Sequence, residues 1–195
     1  MRSASASAIK SKLPEPPREA YTAAVATTAL SVEEYLNTTY RPDRDYVDGM
    51  AVERNLGEQE HALFQGFLSA WFYQHRKEWG VVSLPEQRVQ IAPDRFRIPD
   101  VCLRSASDPL DPILWRPPVL CVEIMSPRDT LPEMRRRSQD YVNMGVHDIW
   151  VLDPIRRRAH TCVNGNFAEF TGDVLQIEGT GIHVPLALLW AELEQ

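Results

Sequence analysis

Two carboxylates set into a segment that otherwise reads as buried strand constrain this chain more than any other feature. The segment runs from Arg97-Ile98-Pro99-Asp100-Val101-Cys102-Leu103 to Pro118-Val119-Leu120-Cys121-Val122-Glu123-Ile124-Met125-Ser126-Pro127. Each half is a short run of Val, Leu, Ile and Cys bounded by proline, the pattern of a strand covered on both faces. An ionised carboxylate in such surroundings is costly unless it is paired, protonated or bound to a cation. Two of them on neighbouring strands predict a small acidic pocket, and a hard divalent cation would relieve its cost.

The flanking sequence predicts a single α/β domain. Ser31-Val32-Glu33-Glu34 has the form of a capping box opening a short helix to about Leu36. Asp48-Gly49 between two strand-like runs predicts a β-hairpin. Residues 58–79 predict a long helix with Phe64, Leu68, Trp71 and Phe72 on one face, His61 and His75 on that same face, and Gly80 as its stop. Residues 81–84, 87–91 and 97–103 predict successive strands, 105–117 a loop, and 119–125 the most buried strand, because it hardly alternates. A second long helix is expected over 130–144, capped by Asp129 or Thr130, with Pro132 in its first turn and Gly145 at its end.

Stepping that helix at about 100° per residue puts Met134, Ser138, Tyr141 and Gly145 on one side. Arg135, Arg136, Gln139, Asp140 and Asn143 fall on the other. Arg137 lands among the apolar group, so a helix lying on a sheet aims it at the sheet. Residues 147–152 predict another buried strand, and the strand–helix–strand unit is long enough for a parallel crossover. Meander strands are expected over 158–163, 167–171 and 174–177, with Asn164-Gly165 as a hairpin turn, and a closing helix over 186–193. The sum is a mixed central β-sheet flanked by helices, in one domain over 30–195, behind a flexible leader over 1–29 rich in Ala, Ser, Thr and Pro.

Composition narrows the function. At 195 residues and 44% hydrophobic, the chain suits one ordinary core. It contains no apolar run of the roughly 18–20 residues that a membrane span needs. Three cysteines, odd in number and without a CxxC pair, read as core residues at Cys102 and Cys121 and point to a reducing, cytoplasmic setting. A net charge of −6 argues against a bulk nucleic-acid binder but leaves room for a local basic patch. Arg135-Arg136-Arg137 and Arg156-Arg157-Arg158 are either such patches or solvated faces. His75, His147, His160 and His183 lack zinc-ligand spacing, and Ser126 does not sit in a GxSxG turn.

Arg-Ile-Pro-Asp100, then Cys-Val-Glu123-Ile-Met-Ser-Pro, then a helix bearing Tyr141, then Gly145-Val146 and Ile149-Trp150-Val151-Leu152-Asp153-Pro154, resemble the Uma2 family of restriction-endonuclease-like proteins. That family belongs to the PD-(D/E)xK nuclease superfamily. The resemblance covers about Leu30 to the C-terminus and implies a restriction-endonuclease-like fold. It implies that Asp100 and Glu123 bind Mg²⁺ or Mn²⁺, with the backbone carbonyl of Ile124 completing the coordination. It also implies a metal-dependent endonuclease acting on nucleic acid, DNA above all, and a homodimer, since superfamily nucleases often pair.

One departure stands out. Met125 occupies the superfamily's lysine position, and Uma2-like sequences resemble a variant with that lysine moved onto the following helix, four residues before the tyrosine. Here that residue is Arg137, which can clamp phosphate but is a poor proton shuttle. Asp45, Gln87 and His61 resemble supporting positions of the family: an added carboxylate, a residue on a strand facing the site, and a histidine on the first helix. A helix-face histidine is otherwise a core residue. Two competing expectations are a weak or inactive nuclease-fold module that binds nucleic acid or a protein partner, and a metal hydrolase of small phosphates.

Overall fold

The structure, a computed structural model, describes residues 29–55 and 57–194. The expected leader therefore lies outside the described residues up to position 28. The chain opens with α1 (Val32–Asn37), whose capping box is complete: Glu34 N–H donates to Ser31 Oγ, and Ser31 N–H donates to the Glu34 carboxylate. β1 (Arg44–Val47) and β2 (Met50–Glu53) form the expected hairpin. Asp48 and Gly49 both take positive φ, 51° and 79°, as a two-residue hairpin turn requires.

α2 (Gln59–Trp79) ends at Gly80 in the left-handed conformation. Then come β3 (Val81–Pro85), β4 (Val89–Ala92), β5 (Arg95–Arg97), β6 (Val101–Ser105) and β7 (Leu120–Ile124). α3 (Leu131–Met144) follows, capped by Thr130 through a second capping box with Glu133. β8 (Asp148–Asp153), β9 (Arg158–Val163) and β10 (Asn166–Phe170) complete the main sheet. β11 (Val174–Gln176), β12 (His183–Pro185), α4 (Leu186–Ala191) and a short 3₁₀ turn close the chain.

The strands form a six-stranded mixed sheet in the order β10-β9-β8-β7-β6-β3, a four-stranded sheet β2-β1-β5-β4, and a pair β11-β12. β7 and β8 run parallel, joined by α3 as the crossover, and the other pairs are antiparallel. Two expectations need correcting. The stretch 97–103 is not one strand: β5 joins the small sheet and β6 the large one. Pro99 offers no N–H to a ladder, and Ile98 N–H goes to the Asp45 carboxylate at 3.0 Å instead. The stretch at 174–177 pairs with β12, which sequence reading missed, and does not continue the meander from β10.

Alternation along the central strands assigns the faces. Val101, Leu103, Leu120, Val122 and Ile124 pack with Phe64, Leu68 and Phe72 of α2. Burying each such side chain contributes about 1.5–3 kcal/mol. Cys102 and Cys121 face the other way, against Met134 and Tyr141 of α3. All three cysteines are free and buried, as core residues would be. A third cluster, built on Tyr35, Tyr46, Phe96 and Ile113, fills the space beside the small sheet. α3 thus touches both sheets, and Asp140, expected on its outer side, is buried because Arg95 and Arg97 of β5 meet it there.

Candidate active site

Asp100 sits where the chain leaves the small sheet for the large one. Val101 pairs with Val122 across β6 and β7, so one step further Asp100 faces Glu123 on the same side as the Cys102–Cys121 pair. The two carboxylates therefore share one face of the sheet, the face that α3 covers. Both side chains are buried. The backbone at this corner is tied down as well. The Asp100 carbonyl accepts from Glu86 N–H at 3.2 Å and from the Gln65 amide at 3.0 Å.

Each carboxylate oxygen meets a hydrogen-bond donor or a cation. Asp100 Oδ1 takes the Arg54 guanidinium. Asp100 Oδ2 accepts from Ile124 N–H at 2.7 Å and lies 3.3 Å from His61 Nε2. Glu123 Oε1 accepts from the Tyr141 hydroxyl, and Arg137 Nη2 lies 3.2 Å from Oε2. Arg137 also reaches back to Asp45, with Nη1 3.3 Å from Oδ2. Asp45 in turn accepts from Arg97 at 2.8 Å, and Arg97 continues to Asp140. The site is a chain of alternating charge linking β1, β5, β6, β7 and α3.

These neighbours set the ionisation. Burial pushes the Asp100 carboxyl up, but His61, Arg54 and the Ile124 N–H outweigh it and hold the group below its usual value. Glu123 goes the other way: burial, joined by the Asp100 charge, raises its carboxyl despite Arg137, Arg54 and Tyr141. Asp100 is thus the member of the pair that keeps its charge more firmly. Burial works against the charged imidazole of His61, yet the Asp100 bond and charge raise it. Burial likewise opposes the Arg137 cation, and Asp45 and Glu123 more than compensate. Tyr141 is pushed well above its ordinary value by burial and by the Glu123 charge, so its hydroxyl remains a proton donor to that carboxylate.

A cavity of about 20 Å³ lies between the acids, lined by Asp100, Glu123, Ile124, Ser126, Arg54 and Arg137, among others. That is room for about one water-sized occupant. The donor set suits a hard divalent cation: two carboxylates, with remaining positions open to carbonyl, water or phosphate oxygens, as Mg²⁺ sites commonly are. Among the described residues no three His, Cys, Asp or Glu side chains gather to hold an ion by themselves. Arg137 keeps its buried Nε without a hydrogen-bond acceptor among the described residues, and its Nη2 meets Glu123 as an ion pair and not as a directed hydrogen bond.

Of the residues expected at the site, Asp100, Glu123, Ile124, Arg137 and His61 line this cavity together. Asp45 lies one step out and acts on Arg137. Gln87 does not reach the acids. It precedes β4, and its amide donates to the Pro112 carbonyl at 3.0 Å and to Arg88 O. The run Arg156–Arg158 forms no free basic patch, since its members meet Asp153, Glu194 and Glu169. Sequence reading missed Arg54 and the role of Tyr141 as a Glu123 partner. The signal for Tyr141 was present, as it shares the inward helix side with Arg137. Arg54 carried no signal beyond being the first residue past β2.

No curated protein matches the chain. Among solved structures, "a putative nuclease belonging to DUF820" from Anabaena variabilis ATCC 29413 superposes with a TM-score of 0.73 at 16% identity, covering 83% of this chain and 97% of that one. At that identity the likeness establishes the fold. A cryoEM structure of a DrdV–DNA complex matches at 19% identity over 68% of this chain and 10% of that one, with a TM-score of 0.38, and carries no argument. The profile of the Uma2 family, described as "Putative restriction endonuclease", matches residues 32–186. That span holds the hairpin, both long helices and every residue of the acidic cavity, and the chain belongs to the Uma2 family.

Proposed function

We propose that the protein is a metal-dependent endonuclease that hydrolyses phosphodiester bonds in DNA. The observation that carries this reading is the meeting of Asp100 and Glu123 on one face, around a cavity of about 20 Å³, with Arg137 leaning on Glu123. Asp100 and Glu123, with the Ile124 carbonyl, would hold Mg²⁺ or Mn²⁺. Such an ion supplies an acidified water and charge neutralisation at phosphorus. Arg137, whose Nε has no acceptor among the described residues, would offer its guanidinium to the phosphate oxygens, which a planar fork suits. His61 and the Ile124 N–H keep Asp100 ionised and aimed. Tyr141 fixes the Glu123 rotamer by holding Oε1, which leaves Oε2 to Arg137.

The test is cleavage of DNA with Mg²⁺ or Mn²⁺, comparing the wild-type chain with Asp100→Ala and Glu123→Gln. Metal-dependent cleavage lost in both variants is expected. Equal cleavage in all three would remove the assignment. A second reading has its own observation: every carboxylate oxygen of the pair already meets a protein donor or cation, Met125 occupies the superfamily's lysine position, and Arg137 stands where Uma2-like sequences resemble a lysine moved onto the helix. On that reading the chain is a nuclease-fold module that binds nucleic acid without cutting it. Salt-sensitive DNA binding with no metal-dependent cleavage would favour it. Turnover confined to a panel of small phosphate esters would instead assign a small-molecule hydrolase.

A further inference from the structure

The proposed reaction leaves Arg54 unused, yet this side chain holds the most central position around the acids. It lines the small acidic cavity and also two larger pockets that share walls with it. One pocket, of about 300 Å³, runs along Asp43, Glu58, His61, Gln65 and Glu86. The other, of about 230 Å³, runs along Glu53, Asp129, Glu133, Arg136 and Arg137. Asn55 shares all three walls with Arg54 and is pinned to Asp129 by a 2.6 Å bond from its amide. Arg54, paired with Asp100, is thus a wall common to both pockets.

Charge gives this position a meaning. Asp45, Asp100 and Glu123 are matched by Arg54, Arg97 and Arg137. The cavity lining itself holds Asp100, Glu123 and Asp129 against Arg54 and Arg137, so a divalent ion entering alone turns a small negative balance into a net positive one. The guanidinium of Arg54 is the one that can leave. Its ion-pair partner is Asp100, whereas Arg137 is held by two acids and Arg97 by Asp45 and Asp140. Arg54 also borders open space on both sides, so it has somewhere to go.

Building on the nuclease reading above, we propose that Arg54 is an exchange cation and a phosphate ligand. Without metal it neutralises Asp100. When an ion takes Asp100, the guanidinium swings into the neighbouring pocket and binds a backbone phosphate of the nucleic acid beside the one being cleaved. Metal and DNA then favour each other's binding, because the cation that one displaces becomes a ligand of the other.

The test uses the full chain with Mn²⁺ alone, followed by calorimetry, and a labelled DNA duplex with Ca²⁺ in place of Mg²⁺. Arg54→Met removes the competitor for Asp100, so Mn²⁺ should bind on the order of tenfold more tightly than to wild type. The same variant should bind DNA more weakly, and its slope of log affinity against log salt should shrink by about one phosphate contact. Opposite signs in the two measurements are the signature, since a residue that only supports the fold would weaken both. Unchanged or weakened Mn²⁺ binding, or an unchanged salt slope, overturns the proposal while leaving the nuclease reading intact. If wild type binds no Mn²⁺ at all, both fall. Should Arg54→Met not fold, the wild-type chain answers by NMR. The Arg54 side-chain N–H signal, assigned by its loss in Arg54→Lys, should move on Mg²⁺ addition, and a signal unmoved at saturation overturns the exchange.

Discussion

Asp45 tests the charge network most directly. Its side chain is 1% exposed. It accepts three donors: Arg97 Nη1 at 2.8 Å, Ile98 N–H at 3.0 Å, and Arg137 Nη1 at 3.3 Å. Asp45→Ala takes an acceptor from all three and leaves Ile98 N–H without one. Removing one member of a buried ion pair costs about 3–5 kcal/mol, because the partner charge is left without compensation. Arg97 retains Asp140 at 2.6 Å and Arg137 retains Glu123 at 3.2 Å, which favours the lower part of that range. Asp45→Asn keeps an acceptor for Ile98 N–H but not the charge, and should lose about 2–3 kcal/mol. Urea unfolding followed by circular dichroism measures both. For a chain of this size, a loss of about 3 kcal/mol lowers Tm by roughly 6–12 °C. Combining Asp45→Ala with Arg137→Met should recover about 1–3 kcal/mol relative to additivity, as neighbours in one network do. A loss under about 1 kcal/mol for Asp45→Ala would refute the view that this carboxylate holds Arg137 in place. Strict additivity in the pair would do the same.

Two further outcomes follow from the same geometry. Tyr35 donates its buried hydroxyl to Arg44 O at 2.6 Å, and burial pushes that hydroxyl up to about 12. Its stabilising contribution is therefore complete below the ordinary tyrosine value near 10 and lost as pH rises toward about 12, a swing of at most roughly 2–3 kcal/mol. Unfolding free energies between those limits should fall more steeply for wild type than for Tyr35→Phe, and parallel curves would contradict this. Thr130→Ala removes the hydroxyl that accepts from Glu133 N–H and donates to the Glu133 carboxylate at the start of α3. It should lower the urea midpoint by the equivalent of about 1 kcal/mol, and no shift would mean the capping box does not stabilise the helix that carries Arg137 and Tyr141.

Much of the frame was legible because local chemistry decides it. The capping boxes at Ser31 and Thr130, the Asp48-Gly49 turn, the stop at Gly80 and the parallel unit around α3 each depend on residues close in sequence. Asp100 and Glu123 were visible for the same reason: a carboxylate amid Val, Leu and Cys has few affordable environments. Arg137 could be aimed inward from helical spacing alone. What sequence reading missed is non-local. Asp140 shares a helix side with Arg135 and Arg136, and nothing nearby in sequence says that β5 will cover it with Arg95 and Arg97. The split at Pro99 into two sheets depends on Asp45, more than fifty residues upstream, capturing Ile98 N–H. Arg54 follows a hairpin, and its meeting with Asp100 is fixed by how the two sheets stand against each other. Gln87 failed for a related reason: one turn of loop geometry sent its amide to Pro112.

The bond from Ile124 N–H to Asp100 Oδ2 makes that aspartate the last rung between β6 and β7. Removing it would fray a central strand as well as strip the acidic pair of one member, so architecture and the candidate site lean on a single side chain. Glu123 has no such backbone duty among its described bonds. A variant of this fold could therefore discard Glu123 while still needing Asp100 to fold. Melting curves of Asp100→Asn and Glu123→Gln would display that asymmetry, with the first the less stable protein.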